Sequence, residues 1–300
     1  MQADRAGSPA QDNRQTALAL IIARGRGCPP RESLHEGLGL RAKPAEEIAE
    51  CRVPARSVRL WWLGQAGFAF KTHAGRIVYV DPYLSDAVER LHGFKRLSLS
   101  PIAAEDVKAD LVVLSHEHTD HLDPDAIPAI AANNPACRFA GPSGCAAGLK
   151  TAGIPLRRRL LLRPSRVHNL GAAVVHTAPA DHGDFAPSAL ALVLDFDGIR
   201  VLHTGDTSWR SGLFKPLFDL GIDLLLPCIN GSFGNMNHLD AARMIQQAAP
   251  RMAIPCHFWT FAEQGAGDPG GFLHACHEWA PGVTALLLRP GEGLTVKAKK

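Results

Sequence analysis

The chain has 300 residues, 46% of them hydrophobic, so it can fill a substantial core, and no apolar run approaches the about 18 residues that a membrane-spanning helix needs. A formal net charge of +3 is too weak to announce a nucleic-acid binder, although it is compatible with anionic small molecules. The seven cysteines (Cys28, Cys51, Cys137, Cys145, Cys228, Cys256 and Cys276) are odd in number, scattered and without a C-x-x-C pair, which reads as reduced thiols in a cytoplasm.

Residues 1–54 are expected to be a partly disordered leader, rich in Arg, Gly, Pro and Ala around "RGRGCPPRESLHEGLG", with one short helix at "KPAEEIAE". The apolar stretch "TALALIIARGRG" is short, follows Asp4 and Asp12, and lacks a small-x-small cleavage site, which argues against a signal peptide. From residue 55 to 300 a single domain is expected. Its texture changes at Val58 to short apolar runs punctuated by Gly, Pro and Asp: "VRLWWLG", "GFAFK", "RIVYVDPY", "ADLVVLSH", "AAVVHTA", "LALVLDF", "IRVLHTGD", "DLLLPCI", "RMAIPCH" and "VTALLLRPG". These predict strands, many buried on both faces. Helices are predicted after Leu122, with Asp123 as cap and Pro124 in the first turn, and at "GPSGCAAGLKTAG", "SGLFKPLFDLG", "HLDAARMIQQAAP" and "GGFLHACHEWA". The basic run "PLRRRLLLRPSR" lacks interleaved aromatics and reads as an exposed strand edge. A meander of strands followed by alternating strands and helices, occurring twice, predicts an α/β fold: a four-layer αββα sandwich.

The densest chemistry lies in "LSHEHTDHLD", Leu114–Asp123, with three histidines and three acidic residues. His116, His118, Asp120 and His121 leave the end of an apolar strand, so they sit on a tight loop at a sheet rim and can aim at two neighbouring points. Imidazole and carboxylate suit Zn²⁺, Mn²⁺ or Fe²⁺, and the lack of a cysteine argues against a closed structural zinc. Later strand ends offer further ligands: His182 in preference to His176 in "AVVHTAPADHGD", Asp206 in "VLHTGDTSW" and His257 in "MAIPCHFWTF". His203 reads as an ordinary strand residue.

The order His-x-His-x-Asp-His, then His, then Gly-Asp, then His resembles the metallo-β-lactamase superfamily from about Val58 to the C-terminus. "WWLGQAGF", "DPYLSD", "SHEHTDHLD", "HTGDT", "INGSFGNMNHLDAA" and "IPCHFWTF" are similar to its L-ascorbate-6-phosphate lactonase-like branch. The resemblance implies one metal on His116, His118 and His182, a second on Asp120, His121 and His257, and Asp206 between them. It also implies that Asp81, in "YVDPY", supports the ligands from behind.

Two divalent ions, Zn or Mn, can generate hydroxide at neutral pH, since a metal lowers the pKa of bound water toward about 7. The expected enzyme is a hydrolase that opens a small, anionic or phosphorylated sugar lactone or ester by metal-bound hydroxide, with Asp120 and His257 as catalytic residues. No G-x-S-x-G elbow is present for covalent acyl transfer, and Cys256 reads as a buried strand residue. Lys95, Arg96, Arg210, Asn235, Asn237 and His238 are candidate contacts to phosphate and sugar hydroxyls, with Asn237 also suited to cap a helix. Gln65 and Trp62 are further candidates for the site lining. The alternative is a metal-dependent phosphodiesterase or nuclease, opposed by the modest charge; a redox or binding module on the same scaffold is opposed by the full set of ligands. A homo-oligomer is compatible with the sequence.

Overall fold

The computed structural model describes residues 44–262 and 267–299; most of the leader, with its apolar stretch and "RGRGCPPRESLHEGLG", lies outside the described residues. Strand β1 (Ser57–Gly64) shows how the layers arise. Val58, Leu60 and Trp62 enter one hydrophobic core while Trp61 and Leu63 enter another. A strand points successive side chains to opposite faces, so a sheet covered on both sides needs an almost continuous apolar run. "VRLWWLG" is such a run.

The first sheet continues through β2 (Gly67–Thr72), β3 (Ile77–Val80), β4 (Leu111–Val113), β5 (Arg138–Gly141) and β6 (Arg159–Leu161). Its other edge is the C-terminal strand Gly293–Lys297, antiparallel to β1. The second sheet holds β7 (Val167–Asn169), β8 (Val174–Pro179), β9 (Leu190–Phe196), β10 (Ile199–His203), β11 (Leu224–Leu226), β12 (Met252–Ala253) and β13 (Thr284–Ala285), side by side in that order. Strands β3 to β6 are mutually parallel, as are β10 to β13. Because β8 and β10 are both antiparallel to β9, they also run in one direction.

Helices cover both outer faces, completing the predicted αββα order. The helix predicted in "KPAEEIAE" forms as α1 (Pro44–Glu50) and buries Ile48 in the core outside the first sheet. That core also receives Ile127 and Ile130 of the helix Ala126–Asn133 and Leu149 of the helix Cys145–Thr151. The helices His238–Ala248 and Pro269–Trp279 bury Met244, Ile245, Phe272 and Cys276 in the core shared with the second sheet. The six cysteines among the described residues are free, and no helix there is long and apolar enough to cross a membrane.

Asp123 caps the helix entry as expected, its Oδ1 accepting from the Asp125 and Ala126 amides and its carbonyl from the Ile127 amide, while its Oδ2 accepts from the Leu84 and Ser85 amides. It therefore ties this helix entry to the loop after β3. "VTALLLRPG" pairs only at Thr284–Ala285. Pro227 and Pro255 lack an N–H, so the β11–β12 ladder stops after Ala253 and returns as an isolated bridge between Cys228 and Cys256. That interruption releases His257 from the sheet at the rim.

Candidate metal centre

Five strand ends converge on one point. The loop after β4 turns back sharply, with the His121 and Leu122 amides both donating to the His118 carbonyl, at 2.9 and 2.8 Å. This turn presents His116, His118 and His121 from one short segment. His116 Nε2 lies 2.9 Å from His118 Nδ1, and His182 Nε2, from the loop after β8, lies 3.3 Å from that same Nδ1. Imidazole nitrogens crowd together in this way around a shared cation. With Zn–N bonds of about 2.0–2.1 Å, tetrahedral ligands stand about 3.4 Å apart, so the triad fits.

A second triad lies beside the first. His257 Nε2 is 3.4 Å from Asp120 Oδ2, and His121 Nε2 is 3.8 Å from that oxygen. Asp206 joins the two groups. Its Oδ1 is 3.3 Å from His121 Nε2 and 3.1 Å from His257 Nε2, while its Oδ2 is 3.8 Å from His182 Nε2. One carboxylate thus offers an oxygen to each triad. His121 Nε2 and Asp206 Oδ1 are buried without a hydrogen-bond partner, as ligand atoms facing a cation would be. All seven predicted ligands meet here, in groups able to hold a metal: His116, His118 and His182; His116, His121 and Asp206; Asp120, His121 and His257.

The support behind them is equally built. Asp81 sits at a positive φ of 44°, and its carboxylate accepts from the Ser115 amide at 2.7 Å and the Ser115 hydroxyl at 2.6 Å. The same carboxylate holds His121 Nδ1 at 2.8 Å, which turns Nε2 toward the centre. Gln65, with φ 49°, donates to Asp120 Oδ2 at 2.7 Å, and its carbonyl accepts from the His257 amide and the Trp62 indole. Asn235 donates to Asp206 Oδ2 at 2.7 Å. Three positions of the site, Asp81, Gln65 and His257, hold left-handed backbone that non-glycine residues adopt at a cost.

Charge explains how the pocket survives. Burial pushes His116 and His182 below their usual range and keeps them neutral. Burial also opposes charge on His121, but Asp206, Asp81 and Asp120 outweigh it and raise that imidazole well above its usual value. His257 is likewise raised, to about 9, because Asp206 and Asp120 overcome the burial penalty. Against the same penalty, His121 holds Asp81 low, His121 and His257 hold Asp120 low, and His257 and His121 hold Asp206 low. The arrangement calls for positive charge, which protons on His121 and His257 supply when no ion is bound.

His176 stays within β8, paired with Val167 and Val193, and takes no part in these groups. His203 is a buried strand residue whose Nε2 meets the Ala66 carbonyl at 2.8 Å. Cys256 is buried, as a strand cysteine would be, and burial pushes its thiol well above its usual value.

The six expected substrate contacts stand outside the cleft, most of them with partners of their own. None lines the cleft of about 300 Å³ above the centre. Arg96 stacks its guanidinium 4.5 Å from the centre of the Tyr83 ring and donates to the Tyr83 and Ser85 carbonyls. Arg210 pairs with Asp181, and Asn235 is committed to Asp206. Asn237 caps the helix His238–Ala248 through the Leu239 and Asp240 amides, His238 lies against Gly271, and Lys95 is exposed to solvent. Sequence reasoning missed instead the cleft walls, Val88, Phe94, Phe185 and Phe233, whose apolar character gives no motif to find.

The beta-lactamase superfamily domain matches residues 59–257, a stretch that carries the whole cluster. This chain belongs to that superfamily. Among curated family relatives, a protein of Aeropyrum pernix named a UPF0173 metal-dependent hydrolase is 31% identical over 256 residues, 78% of this chain and 96% of the relative. One of the same name from Cupriavidus necator is 28% identical over 302 residues, 92% of this chain and 95% of the relative. The solved structure of Igni18, a metallo hydrolase from Ignicoccus hospitalis, shares the family fold with a TM-score of 0.66 at 22% identity, covering 81% of this chain and all of that one.

Proposed function

We propose that the chain is a metal-dependent hydrolase that opens a small lactone or carboxylic ester with two divalent ions, Zn or Mn, at this centre. The observation that carries the reading is Asp206, whose two carboxylate oxygens reach two different ligand triads. His116, His118 and His182 would hold one ion, and Asp120, His121 and His257 the other. Ions bound there supply Lewis acidity to a carbonyl and make water a nucleophile at neutral pH.

The residues of the chain do the rest. Asp120 lines the cleft and is kept ionised by its histidine neighbours, so it can orient the attacking water or accept its proton on a carboxylate oxygen. Gln65 fixes Asp120 Oδ2 so that this carboxylate cannot swing away. His257, the other expected catalytic residue, is positioned by the Gln65 carbonyl through its own amide. The similarity of "SHEHTDHLD" and "IPCHFWTF" to the lactonase-like branch supports the lactone, but no lysine or arginine among the described residues lines the cleft to receive its phosphate. That lining favours an uncharged substrate body over an anionic one, and it offers no basic track for a nucleic-acid backbone. The free thiols support a cytoplasmic setting.

The test is to load the protein separately with Zn²⁺ and Mn²⁺, measure metal per chain, and assay sugar lactones, alkyl lactones, carboxylic esters and bis(4-nitrophenyl) phosphate. Two ions per chain with lactone or ester turnover are expected. Turnover of the phosphodiester alone would move the reaction to phosphorus.

A further inference from the structure

The cleft is small for a ligand site, and its walls differ sharply from its floor. Above the His/Asp floor stand Val88, Phe94, Phe185 and Phe233, with His92 and Thr119 as polar neighbours, 3.1 Å from one another. Among the described lining residues above the floor, Glu117 is the one acidic residue, and its carboxylate turns to the Ser188 hydroxyl and the Gly144 backbone. Phe185 and Phe233 are 62% and 46% exposed, a costly placement for two large rings at the mouth of one cleft unless a ligand covers them.

Both rings stand on segments that also build the centre. Phe185 closes the short turn Gly183–Phe185 directly after His182, and its ring centroid is 5.7 Å from that imidazole. Its carbonyl lies 3.0 Å from His118 Nε2. An imidazole that directs Nδ1 at the centre carries its proton on Nε2, so His118 donates to the Phe185 carbonyl and fixes this wall relative to the floor. Phe233 adopts φ 54° in the loop that delivers Asn235 to Asp206. Strained backbone at a cleft aromatic is retained where its position is needed.

We infer that this site selects substrates with an apolar, uncharged alkyl or aryl group beside the reacting carbonyl, and that Phe185 and Phe233 are the residues determining that specificity. The inference rests on the hydrolase reading for the reaction itself but not for the binding preference. A phosphorylated group beside the reacting carbonyl would have to shed water against aromatic walls, with no lysine or arginine among the described lining residues to receive it. An alkyl chain gains about fourfold in affinity for each CH₂ fully buried.

The experiment is calorimetry on the Zn²⁺-loaded protein with acetohydroxamate and hexanohydroxamate, which share a metal-binding head, and with gluconate and 6-phosphogluconate. Hexanohydroxamate should bind at least tenfold more tightly than acetohydroxamate, and 6-phosphogluconate no more tightly than gluconate. In Phe185→Ser and, separately, Phe233→Ser, the chain-length preference should shrink to about threefold or less at unchanged metal content and acetohydroxamate affinity. Equal affinity across the hydroxamates, no hydroxamate binding, a phosphate preference, or a chain-length preference intact in both variants overturns the inference. Turnover is read separately on 4-nitrophenyl hexanoate and γ-nonalactone. No turnover with the binding preference intact would remove the hydrolase reading alone.

Discussion

Asp81 is fully buried and does not line the cleft, yet it decides where His121 points. Its carboxylate takes the Ser115 amide and hydroxyl and His121 Nδ1, so the ring cannot rotate without breaking a fully buried network. Asp81→Asn should weaken metal affinity about 10–100-fold, as loss of such outer partners does, with the fold retained; chelator competition checks it, and unchanged affinity would reduce Asp81 to a structural residue. Protonation gives a second expectation at this scale. His257 is raised in the metal-free protein from its usual 6.5 to about 9, so its charge stabilises that form fully below about pH 6.5 and the contribution fades as pH rises through about 9. A bound ion must displace that proton. Zn²⁺ affinity should therefore climb with pH up to about 9 and proton release should accompany binding, which calorimetry in buffers of different ionisation enthalpy would show. A flat affinity across that range would mean that His257 is not a ligand.

At the scale of elements, the centre depends on how strands end. Gly205 follows β10 with φ 59°, and a Cβ there would stand 2.9 Å from Ser115 Cβ and 3.1 Å from the Leu190 carbonyl. The left-handed backbone and the crowding both exclude a side chain. Only glycine lets the β10 turn pass close under the β4 loop and bring Asp206 between the triads. Gly205→Ala should cost about 2–3 kcal/mol of stability and reduce bound metal, measured by urea unfolding and metal analysis; a stable variant with full metal content would contradict this account. The edge strand β6 supports the reading of "PLRRRLLLRPSR" as a sheet border. Arg158 in that run turns inward, over the Phe139 ring and onto the Cys137 and Asn134 carbonyls.

At the scale of the molecule, the centre joins two sheets. Asp81 and the His116–His121 loop come from the first, after β3 and β4; His182, Asp206 and His257 come from the second, after β8, β10 and β12. Ions shared between these groups would tie the sheets at one rim, in addition to the core between them. Binding that favours the folded state by about 4 kcal/mol, as at a thousandfold excess over Kd, should raise Tm by on the order of 10 °C in a domain of this size. Removing metal with dipicolinate should lower Tm by that amount, reversibly on adding Zn²⁺, as scanning calorimetry would record. No change on complete metal removal would show that the ions do not hold the sheets together.

What the sequence determined by itself was whatever local pattern enforces. Continuous apolar runs demanded a sheet covered on both faces, and the His-x-His-x-Asp-His spacing demanded a loop dense in metal-binding groups. Polar groups at later strand ends then followed from the same rule, which is why His182 could be preferred to His176 before any contact was known. Only the tertiary structure decided that Asp206 faces both triads, because that depends on two turns packed so closely that a Cβ at Gly205 would stand 2.9 Å from Ser115 Cβ. It also moved Arg96, Arg210 and Asn237 away from the cleft: each has a nearer partner in Tyr83, Asp181 or a helix end, and a composition of basic and amide residues does not reveal such partners. The apolar walls were invisible for the opposite reason. Val88, Phe94, Phe185 and Phe233 look in sequence like any core residues, and only the packing of distant loops leaves two of their rings uncovered above the metal centre.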